Sequence, residues 1–498
     1  MNQEKIKKHL ESLIDLGKSH DVINFAKGRD GVLLCPYTTL KYNVVVSDII
    51  SRILCCYCEK DVVLSPHIED VTLPQIFPSF LQKCQQISLY DIISDKKEIV
   101  NGLNHLMSDK IDKDLYQFKE FGTQRISGLG YVEFSNACDV FSNLKDAELL
   151  ERFSFESGLF TENKEKYVGW RIKKEAVLPQ ILQMIENDNI HIYPKNRRKD
   201  IIRMLNEEYV WTITTTYSYD FPYGGQAFYN ICKSAYQDHK FEEYNSYNGV
   251  KEYLGEEVFS KQFAKICGYI HNDCGYFAGS ITEVVLYLIA YVLGHKKSGD
   301  VDATTNILIL EEFVDDHNKK IRRLFGNQFA ATSYLERYGT DAFRFELIYS
   351  LTNQGKRNLI PGYSCNVGAL LRYKMLNIYN LIAGWSVGTN LQPTEASKKA
   401  FETTNNKLET LKSLLLHDFS NLRLDMMAVK LHRFIRKDFS SSYLMQVKPQ
   451  TKAIDKETYI KTIQLYQRLL CLMNPFMPYL SSGIMCKLKD FLTEIQQE

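Results

Sequence analysis

Apolar positions along this chain follow two different spacings, and the change from one to the other divides it. Gly31–Tyr37 (GVLLCPY) is a short continuous apolar run broken by a proline, the pattern of a buried strand. Val44–Leu54 follows with apolar residues three and four apart, the period of a helix, and Asp61–Leu64 is a second short run. Strand, crossover helix and strand open a doubly wound α/β fold. The alternation returns late, as a helical pattern over Glu283–Leu293 and a strand pattern over Asn306–Leu310. The expected fold is therefore a doubly wound, parallel, nucleotide-binding sheet split by an insertion. Within the insertion, residues 80–155 read as mainly helical and charged, with a strand near Ser127–Glu133. From Val367 onward the strand signals fade. Leu370–Ile382, Lys399–Leu416, Leu424–Phe439 and Tyr459–Met473 each carry helical spacing and predict an all-α bundle. Turn signals at Pro361-Gly362 and Gly384–Pro393 mark boundaries, so the expected parts are 1–150, 151–360 and 361–498.

Composition adds bounds. A chain of 498 residues is too long for one core. A hydrophobic content of 45% with 24% charged residues is that of an ordinary globular protein. The net charge of +1 hides a basic end: from Arg372 onward there are 18 Lys/Arg against 11 Asp/Glu, a surplus that attracts polyanions. The twelve cysteines form no paired CxxC units, so a zinc site is not expected. Cys55, Cys56 and Cys58 extend an apolar run, where cysteine acts as a small hydrophobe. MNQEKIKKHLESLIDLG has the spacing of an amphipathic helix rather than a signal peptide, and no uncharged apolar run is long enough to span a bilayer. These features predict a reduced, cytoplasmic protein with no membrane partner.

The segment 314–349 carries a motif frame. Phe325, Gly326 and Asn327, then Tyr338, Gly339, Asp341, Ala342 and Arg344, resemble the Leu-Gly-Asn and Tyr-Gly-Ala-Asp-Ala-Leu-Arg that follow the KMSKS loop of class I aminoacyl-tRNA synthetases. Other stretches resemble the isoleucyl/valyl/leucyl/methionyl subgroup in the same order. They are Asp48–Arg52 (DIISR), Val140–Arg152 as the FxxLxxxGLIYR helix, Trp170–Lys174, Trp211–Pro222, and Ile270–Phe277 (IHNDCGYF). Asp438–Pro449 and Asn474–Tyr479 are similar to parts of that subgroup's anticodon-binding domain, so the resemblance makes the C-terminal bundle anticodon-binding-like. Arg152 is followed within a few residues by Glu156-Ser157-Gly158, similar to the sequence after the family's editing insertion, which leaves no room for a folded editing domain.

What the resemblance implies for chemistry is mixed. The family binds phosphate with a HIGH motif at a helix N-terminus. Counting back from Asp48 puts Tyr37, Thr38, Thr39 and Leu40, just after Pro36, at those positions, and other placements bring Lys41 or Asn43 there but no histidine. In the ribose-binding segment Asp273 remains, while His271 stands for a glycine and Ala278 for a histidine. After the second strand, Pro66-His67-Ile68-Glu69-Asp70 keeps a carboxylate and loses a glycine, which makes Glu69 and Asp70 candidates for the amino-acid pocket. Lys320, Arg322 and Arg323 stand where KMSKS has two lysines. They read either as a phosphate clamp or as a solvated or RNA-contacting loop. Asn327 belongs to the same nucleotide-site set. His271 beside Asp273 fits a general acid–base pair or a structural network. Tyr217 and Tyr219 fit an amino-acid pocket or ordinary packing, and Thr212 with Thr214–Thr216 reads as a strand.

On Leu424–Phe439, Met427, Leu431, Phe434 and Ile435 form an apolar stripe, and Lys430, Arg433 and Lys437 fall on a neighbouring face suited to an RNA backbone. The resemblance and its losses together imply a divergent synthetase-like protein. It keeps the scaffold and a tRNA- or amino-acid-binding surface, with aminoacyl-adenylate formation weak or lost; each missing transition-state donor costs about 10²–10³ in rate. The alternatives are an active ligase using ATP and Mg2+, which charges tRNA or passes an activated amino acid to another amine, and a non-catalytic subunit with a protein partner.

Overall fold

The computed structural model describes residues 31–36, 42–60, 62–67, 137–157, 165–213, 260–270, 272–295, 305–310, 313–319, 334, 337–352, 358–359, 366–388 and 390–497. They form two compact units, Arg29–Ser47 with Val62–Leu310, and Asp48–Asp61 with Glu311–Glu498.

The first unit is built on parallel strands. β1 (Gly31–Pro36) pairs with β2 (Val62–His67) in parallel from Gly31↔Val62 to Pro36↔His67, and α1 (Tyr42–Cys58) makes the crossover. Leu33, Val45, Val46 and Val62 are buried, as their apolar spacing requires. α2 (Ala137–Asp146) ends before Glu148, whose φ of 55° lies in the left-handed region. β3 (Leu150–Ser157) then runs antiparallel to β4 (Glu165–Ile172). The stretch Val140–Arg152, expected as one helix, is thus a helix, a turn and the start of a strand. Arg152 lies opposite Trp170 in the ladder, with its guanidinium 4.9 Å from the indole centroid, and Phe141 meets the same ring edge-on.

After α3 (Lys174–Glu186) come β5 (Ile190–Tyr193), a cis peptide at Tyr193-Pro194, α4 (Arg198–Leu205), α5 (Lys261–Tyr269), β6 (Tyr276–Gly279), α6 (Ile281–His295) and β7 (Thr305–Ile309). β7 is the centre of a three-stranded parallel sheet, in the order β5-β7-β6. α6 is apolar on every side and is buried without a break from Val284 to Leu293, the behaviour of a helix enclosed by its core. Phe277 of β6 stacks flat on Tyr287 of α6 at 4.2 Å. The Tyr287 hydroxyl meets Thr305 Oγ1 at 3.0 Å and accepts from Asn272 at 3.1 Å, so this buried polar group is satisfied.

The second unit is mostly helical. β8 (Phe313–Val314) pairs in parallel with β9 (Asn358–Leu359), and α7 (Thr340–Tyr349) lies between them in sequence. α8 (Val367–Ala383) and β10 (Ser386–Val387) follow, then α9 (Glu395–Ser420), whose N-cap Thr394 accepts from the Ser397 amide. α10 (Leu424–Arg433) passes without interruption into a π-helical stretch, Phe434–Tyr443, and a last α turn, Leu444–Val447. β11 (Ala453–Ile454) pairs with β10, and α11 (Lys456–Met473), capped by Asp455, and α12 (Pro478–Gln497) complete the unit. Met427, Leu431, Phe434 and Ile435 are buried, the face their spacing predicts. Residues 48–58 of α1 pack here: Tyr57 donates to the Leu472 carbonyl and Cys56 Sγ lies 3.9 Å from Asn474 Oδ1. Cys55, Cys56 and Cys58 are half-buried and not joined in disulfides. Among the described residues no helix is long and apolar enough to cross a membrane.

Candidate functional site

In open α/β sheets ligands sit at the carboxyl ends of the strands, where helix N-termini offer unpaired N–H groups. In the first unit that edge holds the ends of β5, β6 and β7, since Tyr193 pairs with Leu308 and Gly279 with Ile309. β1 runs beside β6 in the same sense. At one end a Cβ on Gly31 would stand 3.1 Å from the Cys274 Cα, which explains a glycine there; at the other, Asn43 in the first turn of α1 reaches Glu283 in α6. The α6 start is a reciprocal capping box. Ser280 donates to Glu283 Oε2 from its amide at 2.7 Å and its hydroxyl at 2.8 Å, while the Glu283 amide points back to Ser280 Oγ at 3.5 Å. Asn43 Nδ2 adds a third donor to the same oxygen at 3.5 Å. A buried carboxylate is thus fixed between the first turns of the two helices that leave β1 and β6.

The motif frame of the second unit converges on α7. Arg344, fully buried, donates to Asp48 Oδ2 at 2.7 Å and to the Pro475 carbonyl at 2.9 Å. Asp48 also takes Arg52 Nε at 2.9 Å. One turn earlier, Asp341 accepts the amides of Tyr479 and Leu480 at 3.3 and 2.6 Å, so a carboxylate of α7 caps the open N-terminus of α12. Two residues after Arg344, Glu346 Oε2 accepts the Gly368 amide at 2.6 Å, and Tyr334 accepts that of Ala369, which caps α8. Arg372 donates to the Tyr338 carbonyl against Gly339, whose φ of 82° suits glycine. Burial pushes the Asp341 carboxyl up and the Arg344 and Arg372 guanidiniums down from their ordinary values, with the opposite charges nearby working against it. Three stretches that carry the family resemblance, DIISR, TDAFR and NPFMPY, therefore meet in one buried charge cluster.

Arg433 and Lys437 are exposed, as is Arg436, but Lys430 is ion-paired to Asp418 of α9. Asp273 is exposed and precedes β6, at the opposite end of that strand from Ser280 and Glu283. The backbone of Pro36 closes β1 at the ligand edge. Tyr37, Thr38, Thr39, Leu40, Glu69, Asp70, Tyr217, Tyr219, His271, Lys320, Arg322, Arg323 and Asn327 lie outside the described residues, as do Ser127–Glu133 and Thr214–Thr216. The basic loop is preceded by a built turn in which Asp315 Oδ1 accepts the amides of His317 and Lys319, with Asn318 at a φ of 61°. Among the described residues no group of three or more His, Cys, Asp or Glu could hold a metal ion. Glu283 was the residue missed by sequence reasoning, although Ser-x-x-Glu before an apolar run was there to find it. Asp341 and Arg344 stand out in the sequence as motif matches, while their partners Asp48, Tyr479 and Leu480 lie far away along the chain.

No family model matches the chain. It is similar to valine–tRNA ligases. It is 29% identical over 205 residues to that of Bacteroides thetaiotaomicron, across 41% of this chain and 23% of the relative. It is 21% identical over 469 residues to that of Mycoplasmopsis pulmonis, across 84% of this chain and 50% of the relative. The matched part thus spans half or less of these relatives' length. Among solved structures, the fold is similar to Mycobacterium tuberculosis methionyl-tRNA synthetase in complex with methionyl-adenylate, with a TM-score of 0.56, 11% identity, and coverage of 92% of this chain and 93% of that one. It is also similar to a LeuRS of Agrobacterium radiobacter K84 in a ternary complex with tRNA and LeuAMS, with a TM-score of 0.55, 10% identity, and coverage of 93% and 86%. At these identities the structural likeness concerns the fold.

Proposed function

We propose that this class I aminoacyl-tRNA synthetase-like chain keeps its scaffold as a surface for tRNA or an amino acid, with ordinary aminoacyl-adenylate formation weak or lost. The observation that carries this reading is Glu283. A phosphate bound at the first turns of α1 and α6 would have to share that space with a carboxylate already held by Ser280 and Asn43. At a separation of about 6 Å and an effective dielectric of about 20, one phosphate charge and one carboxylate repel by about 3 kcal/mol. The same helix starts that attract anions when empty are here partly neutralised from within. The residues kept from the family's motifs, Asp48, Asp341 and Arg344, are occupied in holding helices together, which gives them a reason to persist without catalysis.

The second reading, an active ligase that uses ATP and Mg2+, draws on the Asp315 turn, which delivers the chain directly into Lys320, Arg322 and Arg323. One assay separates the two. Purified protein is mixed with ATP, Mg2+, labelled pyrophosphate and each amino acid in turn. The expected result is no amino-acid-dependent exchange above background, and clear exchange with any one of them overturns the leading reading in favour of the second. Filter binding of bulk tRNA tests the retained surface.

A further inference from the structure

The first unit carries a second cationic surface, at the rim of the ligand edge. Five cations fall within nine residues after β5: Lys195, Arg197, Arg198, Lys199 and Arg203. Two carboxylates answer them. Asp200 takes Arg197 at 2.8 Å and Arg203 at 3.4 Å, and Asp188 takes Arg198 at 2.6 Å. Lys195 and Lys199 are exposed and have no ion pair among the described residues, and the Arg203 side chain is 78% exposed. Lys195 stands in the short 3-10 turn Lys195–Arg197, while Lys199 and Arg203 lie one turn apart on α4. The element is rigid, because Ile201 and Leu205 anchor its other side in the core.

We propose that Lys195, Lys199 and Arg203 bind the phosphate backbone of an RNA strand where it runs past the carboxyl ends of β5 and β7. The inference rests on the reading above that the chain handles RNA, and gives that RNA a second contact apart from the bundle. Two cations on a fixed helix and a third in the turn before it fit a regularly charged polymer. The exposed ring of Tyr209, just beyond α4, offers a face on which a base can stack. A membrane surface fits less well. α4 has eight residues, Ile201 and Leu205 are already buried, and Ile202, 37% exposed, alone is too little to make a broad apolar face that could lie in lipid.

The test is fluorescence anisotropy of the full chain with a labelled single-stranded RNA of mixed sequence across a salt series. Lys195→Glu/Lys199→Glu/Arg203→Glu should weaken binding by about 100-fold and make the log–log salt slope shallower by about 2, since each phosphate contact on a single strand contributes about 0.7. The neutral Lys195→Gln/Lys199→Gln/Arg203→Gln protein guards against misfolding and should lose about tenfold, with an unchanged melting curve. A bundle variant, Arg433→Glu/Lys437→Glu, runs in parallel. If the wild type binds RNA and only the bundle variant weakens it, the inference is overturned while the functional reading stands. If the wild type binds no RNA, both fall. If it binds only vesicles containing phosphatidylserine, or an acidic protein, the partner is wrong and the inference is overturned.

Discussion

Arg344→Met should unfold the helical unit more readily than any surface change, because of what it leaves behind. Arg344 and Asp48 are both fully buried at 2.7 Å, and the same guanidinium nitrogen also donates to the Pro475 carbonyl. Removing one partner of a buried pair costs about 3–5 kcal/mol, most of it the penalty of a carboxylate left in a poor solvent. Arg52 still faces Asp48 at 2.9 Å, so the lower part of that range applies, about 3 kcal/mol. For a unit of this size that is a fall in melting temperature of roughly 10 °C. The assay is urea unfolding followed by far-UV ellipticity, for Arg344→Met, Asp48→Leu and the double variant. The double variant should recover part of the loss, with a coupling energy of about 2 kcal/mol, since two well-packed apolar residues replace the pair. Arg52→Met removes a partner whose own side chain is only 14% exposed, and should cost about 2–3 kcal/mol, since Arg344 still faces the buried Asp48. A loss below about 1 kcal/mol for Arg344→Met, or no coupling to Asp48, refutes the view that this motif residue is retained for packing.

Three other predictions follow from named contacts. A Cβ on Gly368 would stand 2.1 Å from the Ala342 carbonyl oxygen, so Gly368→Ala should part α7 from α8 and cost about 3 kcal/mol in chemical denaturation; a neutral outcome would mean that the two helices do not cross so closely. Glu283→Gln keeps the capping box but removes its charge, so ATP should bind about tenfold or more tightly by calorimetry, and an unchanged affinity would remove Glu283 as the obstacle. Burial raises the Tyr443 phenol to about 12, and its hydroxyl lies 2.8 Å from Thr462 Oγ1. A folded-state value above the unfolded one stabilises fully below about pH 10 and is lost as the pH climbs toward 12. The wild type should therefore lose about 1 kcal/mol relative to Tyr443→Phe between pH 8 and pH 11, and parallel stability curves for the two proteins would contradict the assignment.

The elements that could be read from the sequence were those whose burial is periodic. Leu33, Val45 and Val62 announce a βαβ opening, and Met427 and Leu431 announce the inward face of α10. Val140–Arg152 misled because Phe141 and Leu144 have helical spacing, while the turn at Glu148 depends on a left-handed backbone that its residue type does not advertise. The charge cluster was visible only as separate motifs. Asp48, Arg344 and Pro475 are far apart in sequence, and no local pattern pairs them. Lys430 fell on the expected face, but its partner Asp418 comes from the preceding helix and takes up a cation assigned to RNA. Glu283 could have been read, since its cap is local.

Phe434–Tyr443 follows a slower winding than the rest of its rod, with hydrogen bonds reaching five residues back, as in the one from the Leu444 amide to the Phe439 carbonyl. Each revolution there uses up more chain, so a wheel drawn with the usual step misassigns faces beyond residue 434. Deleting a single amino acid from this stretch would let it tighten to the ordinary coil and swing Leu444 and Val447 out of the interior. Shortening here would thus be an error of orientation rather than of length.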